Sequence, residues 1–120
     1  GSLVSYQTEL KIEWGVPAEV IGEHGVISQE CARAMARAAR EKLGASVGIG
    51  VTGVAGPDEQ EGKPAGTIHI AIDAMWAAPQ AMSYTFPQGR GAVKRRAVTT
   101  ALVLLRQSLL NYSKEPWALV

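Results

Sequence analysis

Two apolar segments, Val47-Gly48-Ile49-Gly50-Val51 and Thr67-Ile68-His69-Ile70-Ala71-Ile72, are joined by an unusual stretch of chain. It begins Thr52-Gly53-Val54-Ala55-Gly56-Pro57, passes through an acidic insert, and ends Lys63-Pro64-Ala65-Gly66-Thr67. The first apolar segment is short and flanked by glycine, as a buried strand is. In the second, the isoleucines alternate onto one face and Thr67, His69 and Ala71 onto the other, so it reads as a strand too. The join adds little to a core. Glycine lets the backbone come close to a ligand, and successive backbone N–H groups in such turns form anion-binding concavities. Lys63 adds a positive charge and Thr67 a hydroxyl, so the feature points to a small anionic or phosphorylated ligand where two strands end.

With 120 residues the chain is long enough for one domain with a real core. A formal net charge of +1 gives no strong electrostatic footprint for nucleic acid, and such a partner is not expected. The single cysteine, Cys31, excludes an intrachain disulfide and fits a reducing, cytoplasmic setting. It lies among alanines and reads as a buried small hydrophobe. No apolar run approaches the ~18–20 residues of a membrane span, and no basic-then-apolar leader opens the chain, so no membrane partner is expected.

The remaining elements follow from local signals. Leu3–Tyr6 reads as a short strand; Thr8 is a candidate cap for a helix over Glu9–Trp14 that Gly15 ends; Pro17 opens a second short helix reaching about Ile21. Ser28 is a good N-cap for a longer helix, with Glu30 in its first turn, an alanine-rich apolar stripe, and Gly44 as the stop. Arg33, Arg37 and Arg40 lie away from that stripe and read as a solvated surface. Trp76 is expected to cover core, Met82–Phe86 to form another strand, and a long helix to run from about Gly91 to Asn111. The order of elements predicts an α/β layer domain with a mixed sheet over residues 1–111, followed by a tail, 112–120.

Several constellations of catalysis are absent. There is no zinc-type Cys/His spacing, no phosphate loop of the GxxxxGK[ST] type and no GxSxG elbow. Asp58, Glu59 and Glu61 read as a solvated acidic loop. What remains is a dispersed polar set: Tyr6, Lys11, the two halves of the double loop, and Arg90. Strand ends in α/β sheets converge on crevices, so these could share one pocket. Lys94, Arg95 and Arg96 cluster where the helix dipole disfavours positive charge, which favours an anionic partner near Arg90 or Lys94.

Taken together, these segments resemble the carboxy-terminal domain of the CinA competence/damage-inducible family, which also occurs as a stand-alone nicotinamide mononucleotide amidohydrolase. The resemblance runs through Val4-Ser5-Tyr6-Gln7-Thr8-Glu9-Leu10-Lys11, Gly15-Val16-Pro17 and His24-Gly25-Val26-Ile27-Ser28. It peaks at Thr52-Gly53-Val54-Ala55-Gly56-Pro57 and continues through Lys63-Pro64-Ala65-Gly66-Thr67 and Phe86-Pro87-Gln88-Gly89-Arg90. It implies a three-layer α/β/α fold with a mixed, mainly parallel sheet. It also implies metal- and cofactor-independent hydrolysis of the nicotinamide amide to nicotinic acid mononucleotide and ammonia, by a serine nucleophile assisted by a lysine. Lys11 stands at the position of that lysine, Tyr6 at a nearby tyrosine and Arg90 at the family arginine. Thr52, Gly53, Ala55, Gly56, Lys63, Gly66 and Thr67 correspond to the walls of the nucleotide pocket.

The departures are equally informative. The family serine lies in a Glu-Ser-Cys-Thr-Gly-Gly-like segment, and no such segment occurs in these 120 residues. Thr8 replaces the usual asparagine between the tyrosine and the lysine, Gln88-Gly89 replaces the usual Gly-Asp, and Gly91 replaces a glutamate. The expectation is an amino-terminally truncated domain, with little deamidase activity of its own and exposed apolar surface that drives homo-oligomerisation. The alternative is a non-catalytic nucleotide-binding or assembly module.

Overall fold

The computed structural model describes residues 1–87 and 89–113. Helix α1 spans Thr8–Glu13, α2 Ala18–His24 and α3 Gln29–Lys42; strands β1 Val47–Gly53, β2 Thr67–Ala74 and β3 Gln80–Thr85 follow, and α4 runs Arg90–Ser113. The start of α3 is fixed by Ser28, whose hydroxyl oxygen accepts from the Cys31 N–H at 3.1 Å and donates its own proton to the Gly25 carbonyl at 3.0 Å. At its far end Gly44 takes φ +62°, the left-handed conformation that stops a helix.

The alanine stripe of α3 exists because the helix lies almost on the backbone of β1. A Cβ on Gly48 would collide with the Ala36 carbonyl oxygen, and one on Gly50 with that of Ala32. Glycines on the strand and alanines on the helix are therefore one design feature, and Cys31, Ala32 and Ala36 are wholly buried by it.

β2 is the middle of a three-stranded sheet of order β1-β2-β3. Both pairings are antiparallel, with Ile49 opposite Ile72 and Val51 opposite Ile70 on one side, and Ile70 opposite Met82 on the other. The expected mainly parallel sheet is therefore not what the described residues form. Residues 54–66 and 75–79 link the strands without a crossover helix, and such links join antiparallel neighbours. Side chains alternate across β2 as expected. Ile68 and Ile70 pack with Phe86 and with Val93, Ala97 and Ala101 of α4, while Ala71 packs with Ala32 and Ala36 of α3. Of β2, only His69 escapes full burial.

Four local expectations are corrected. Leu3–Tyr6 makes no strand pairing among the described residues. Thr8 lies inside α1, whose N-cap position is Gln7, and no side chain caps it. Pro17 is the N-cap residue of α2 rather than its first residue, and α2 extends to His24. Arg40 is not a solvated charge: its Nε donates to Oδ2 of Asp73 at 2.9 Å, and Asp73 is buried on β2. Trp76 lies against the Tyr112 ring, with centroids 4.4 Å apart. Of the expected tail, residues 114–120 lie outside the described residues.

Candidate functional site

The double loop continues the β1–β2 ladder before it opens. Val54 N–H donates to Thr67 O at 2.8 Å and Gly66 N–H to Val54 O at 2.6 Å. Gly66 then accepts from Phe86 N–H at 2.9 Å; its φ is +94°, and a Cβ there would collide with the Phe86 carbonyl oxygen. The requirement for glycine at 66 is thus met by strand packing. The Thr67 hydroxyl is buried and donates to the Pro64 carbonyl at 2.8 Å, closing the turn.

The acidic insert folds into a miniature hairpin. Gln60 and Lys63 exchange both backbone hydrogen bonds, and the two residues between them, Glu61 and Gly62, have φ +52° and +72°. Positive φ at both central residues suits a tight hairpin turn. Glu61 is not simply solvated. Its carboxylate accepts from the N–H groups of Val26 at 3.2 Å and Ile27 at 2.9 Å, in the turn between α2 and α3. Thr52 grips the same turn by donating its hydroxyl to the Val26 carbonyl at 2.7 Å. The signal for this clamp in the sequence is the Glu61-Gly62 pair; its distant partners have none.

Arg90 reaches the other side of the loop, donating from Nη1 to the Gly56 carbonyl at 3.2 Å. This places an exposed guanidinium at the turn containing Gly56, where φ is +102° and the Gly56–Pro57 peptide is cis. A planar guanidinium fork matches phosphate and carboxylate geometry.

Lys11 is buried and donates from Nζ to the Ser5 carbonyl at 2.5 Å. It lines a groove of about 570 Å³ with Tyr6, Trp14, Val16, Met35 and Val51. Tyr6 stands 80% exposed at the rim of that groove. Burial pushes the Cys31 thiol up, with Lys11 acting to lower it and Glu61 to raise it.

Lys63 faces a different hollow, of about 310 Å³, with His24, Ser28, Glu30 and His69. Burial, reinforced by Lys63, pulls His69 below the usual imidazole range, against a smaller opposing effect of Glu30. Its Nδ1 is 2.8 Å from Ser83 Oγ, and that oxygen accepts from Gln29 Nε2 at 2.6 Å. The sequence-predicted residues therefore divide into three places. Lys11 and Tyr6 line the large groove, Lys63 lines the small hollow, and Arg90 meets Gly56 at the loop. Among the described residues there is no group of three or more His, Cys, Asp or Glu side chains arranged to hold a metal ion. No described helix is long and apolar enough to cross a membrane.

Comparison with known proteins bears on this geometry. The family model described as CinA C-terminal domain matches residues 1–109. A Listeria welshimeri protein named as competence-damage inducible is 44% identical over 110 residues, which are 91% of this chain and 26% of that protein. A CinA-like protein of Gemmatimonas aurantiaca is 41% identical over 110 residues, covering 90% of this chain and 26% of its own. The crystal structure of a competence-damaged protein (CinA) superfamily member from Klebsiella pneumoniae superposes with a TM-score of 0.85 at 29% identity. That match covers 90% of this chain and 68% of the other. The chain thus spans about a quarter of the length of the curated relatives it matches.

Proposed function

The chain belongs to the CinA C-terminal domain family, and from that premise we propose that it forms the substrate-holding part of a nicotinamide mononucleotide amidohydrolase-type domain. The observation that carries this reading is the Arg90–Gly56 contact, which holds a guanidinium at the glycine turn beyond β1. There it is suited to a nucleotide phosphate, with the loop backbone supplying further N–H donors. Lys11, on the wall of the large groove, takes the part of the assisting lysine, and Tyr6 that of its neighbour at the rim.

In the amide hydrolysis proposed, a serine oxygen attacks the carboxamide carbon and ammonia leaves. Water then releases nicotinic acid mononucleotide from the acyl-enzyme. The 120 residues hold no segment of the Glu-Ser-Cys-Thr-Gly-Gly kind that would carry the attacking serine. The groove beside the edge of β1, which has no partner strand among the described residues, is where the mainly parallel, three-layer sheet that the resemblance implies would continue. Ammonia release from nicotinamide mononucleotide by the purified chain is expected to equal the protein-free control, because removing one member of such a catalytic unit abolishes most of its effect. Robust turnover would contradict this division of labour. The second reading, a binding or assembly module without chemistry, is favoured by the commitment of the Thr52 and Thr67 hydroxyls to backbone carbonyls.

A further inference from the structure

We propose that the smaller hollow binds a small α-amino acid, its carboxylate on Lys63 and the Nε2–H of His69 and its ammonium on Glu30. The hollow holds about 310 Å³ and is lined by these three side chains together with His24, Ile27 and Ser28. That volume is at the lower end for ligand pockets and suits a ligand of a few heavy atoms. His69 carries the argument. Its Nε2 is buried and has no hydrogen-bond partner among the described residues. A chain of side chains fixes which ring nitrogen holds the proton. Arg33 Nη2 donates to Gln29 Oε1 at 3.3 Å, which turns the Gln29 amide nitrogen toward Ser83 Oγ, 2.6 Å away. With that oxygen accepting from Gln29, the Ser83 proton is directed at His69 Nδ1, 2.8 Å away. Nδ1 is then the acceptor and Nε2 carries the N–H. A buried N–H without an acceptor is costly, and a ligand oxygen in the hollow satisfies it.

The charges select the class of ligand. Lys63 forms no ion pair among the described residues. Its charge and the opposite charge of Glu30 both reach the His69 ring. The hollow thus offers one positive and one negative side chain beside a neutral donor. Glu30 has Nδ1 of His24 3.9 Å away, a pairing that neutralises it only when His24 is protonated, and His24 also faces Glu23 at 3.6 Å. A phosphate dianion meets Glu30 as a like charge, whereas the ammonium of a zwitterion turns that carboxylate into a partner. The Ser28 hydroxyl takes no part, being committed to the Gly25 carbonyl and the Cys31 N–H. Ile27 is buried in the same wall, so a small apolar side chain fits and alanine is the probe. This site is separate from the Arg90–Gly56 contact and does not rest on the nucleotide reading.

The full 120-residue chain, with isotopically labelled histidine, is titrated by nuclear magnetic resonance at about pH 8 and constant ionic strength. Nitrogen–proton correlations are expected to show His69 as the Nε2–H tautomer, and L-alanine to shift its ring signals saturably in the millimolar range. Propionate, which lacks the ammonium, is expected to bind about tenfold more weakly, and inorganic phosphate not to saturate, since one charge-assisted contact sets that margin. Glu30→Gln is expected to erase the preference for alanine over propionate. Lys63→Met is expected to weaken both about tenfold while the tautomer stays the same. An Nδ1–H tautomer, no saturation with alanine, saturation with phosphate, propionate as tight as alanine on the unaltered chain, or a preference for alanine that survives Glu30→Gln would each overturn the proposal.

Discussion

Arg40 and Asp73 make the most consequential contact between single residues outside the loop. The Asp73 side chain is only 7% exposed and that of Arg40 25%, so the carboxylate depends on this guanidinium. Arg40→Ala is expected to lower stability by roughly 1–3 kcal/mol in denaturant unfolding, because it leaves a buried charge with its partner gone. His69 sets a pH dependence. Its imidazole is held below the usual range by burial and by Lys63, so between the unfolded and folded values the unfolded chain binds more protons. Stability therefore rises with pH across that window, and is lost as pH falls through about 6.5 and below. His69→Gln is expected to flatten this slope in melting temperatures taken between mildly acidic and neutral pH; an unchanged slope would assign it to other groups. Neither role was legible in the sequence. Arg40 sits 33 positions from Asp73, and the spacing of arginines along α3 suggests only a solvated face.

Among the elements, the helices α3 and α4 and the strands β1 to β3 were legible because each carries its own periodicity and stop signals. The sheet's pairing was not, since the mainly parallel expectation came from the resemblance, whereas the connections 54–66 and 75–79 hold no helix to make a crossover. Leu3–Tyr6 has strand-like composition but no strand beside it among the described residues, so a local preference is left without a ladder. The double loop stands out in the sequence, while its clamp does not: Glu61 finds its two N–H donors 35 and 34 residues away. Glu61→Ala is expected to free the loop from the α2–α3 turn. Limited proteolysis would show faster cleavage between residues 57 and 64, with a stability loss of about 1 kcal/mol. Cleavage at the wild-type rate would mean that Thr52 alone holds the two elements together. Loss of the Ser28 cap, by Ser28→Ala, is expected to cost about 1 kcal/mol through α3 and leave loop proteolysis unchanged.

For the whole molecule, the family was legible from short segments spread over nearly the whole chain, and its fold is shared with the Klebsiella structure. The site was legible only in part. Arg90 does meet the glycine loop, whereas Lys11 and Lys63 open onto separate hollows. Thr67 and Gly66, expected as pocket walls, are engaged elsewhere: the Thr67 hydroxyl closes the turn onto Pro64, and the Gly66 carbonyl accepts from Phe86. In the proposed function, the loop and Arg90 together hold a nucleotide. Titration calorimetry of the purified chain with nicotinamide mononucleotide tests it most directly. Saturable binding is expected, weakened about tenfold or more in Arg90→Ala, since one charge-assisted contact is worth roughly 1.5–3 kcal/mol. The variant's melting temperature should match the wild type. Absence of binding, or affinity indifferent to Arg90, would contradict the claim.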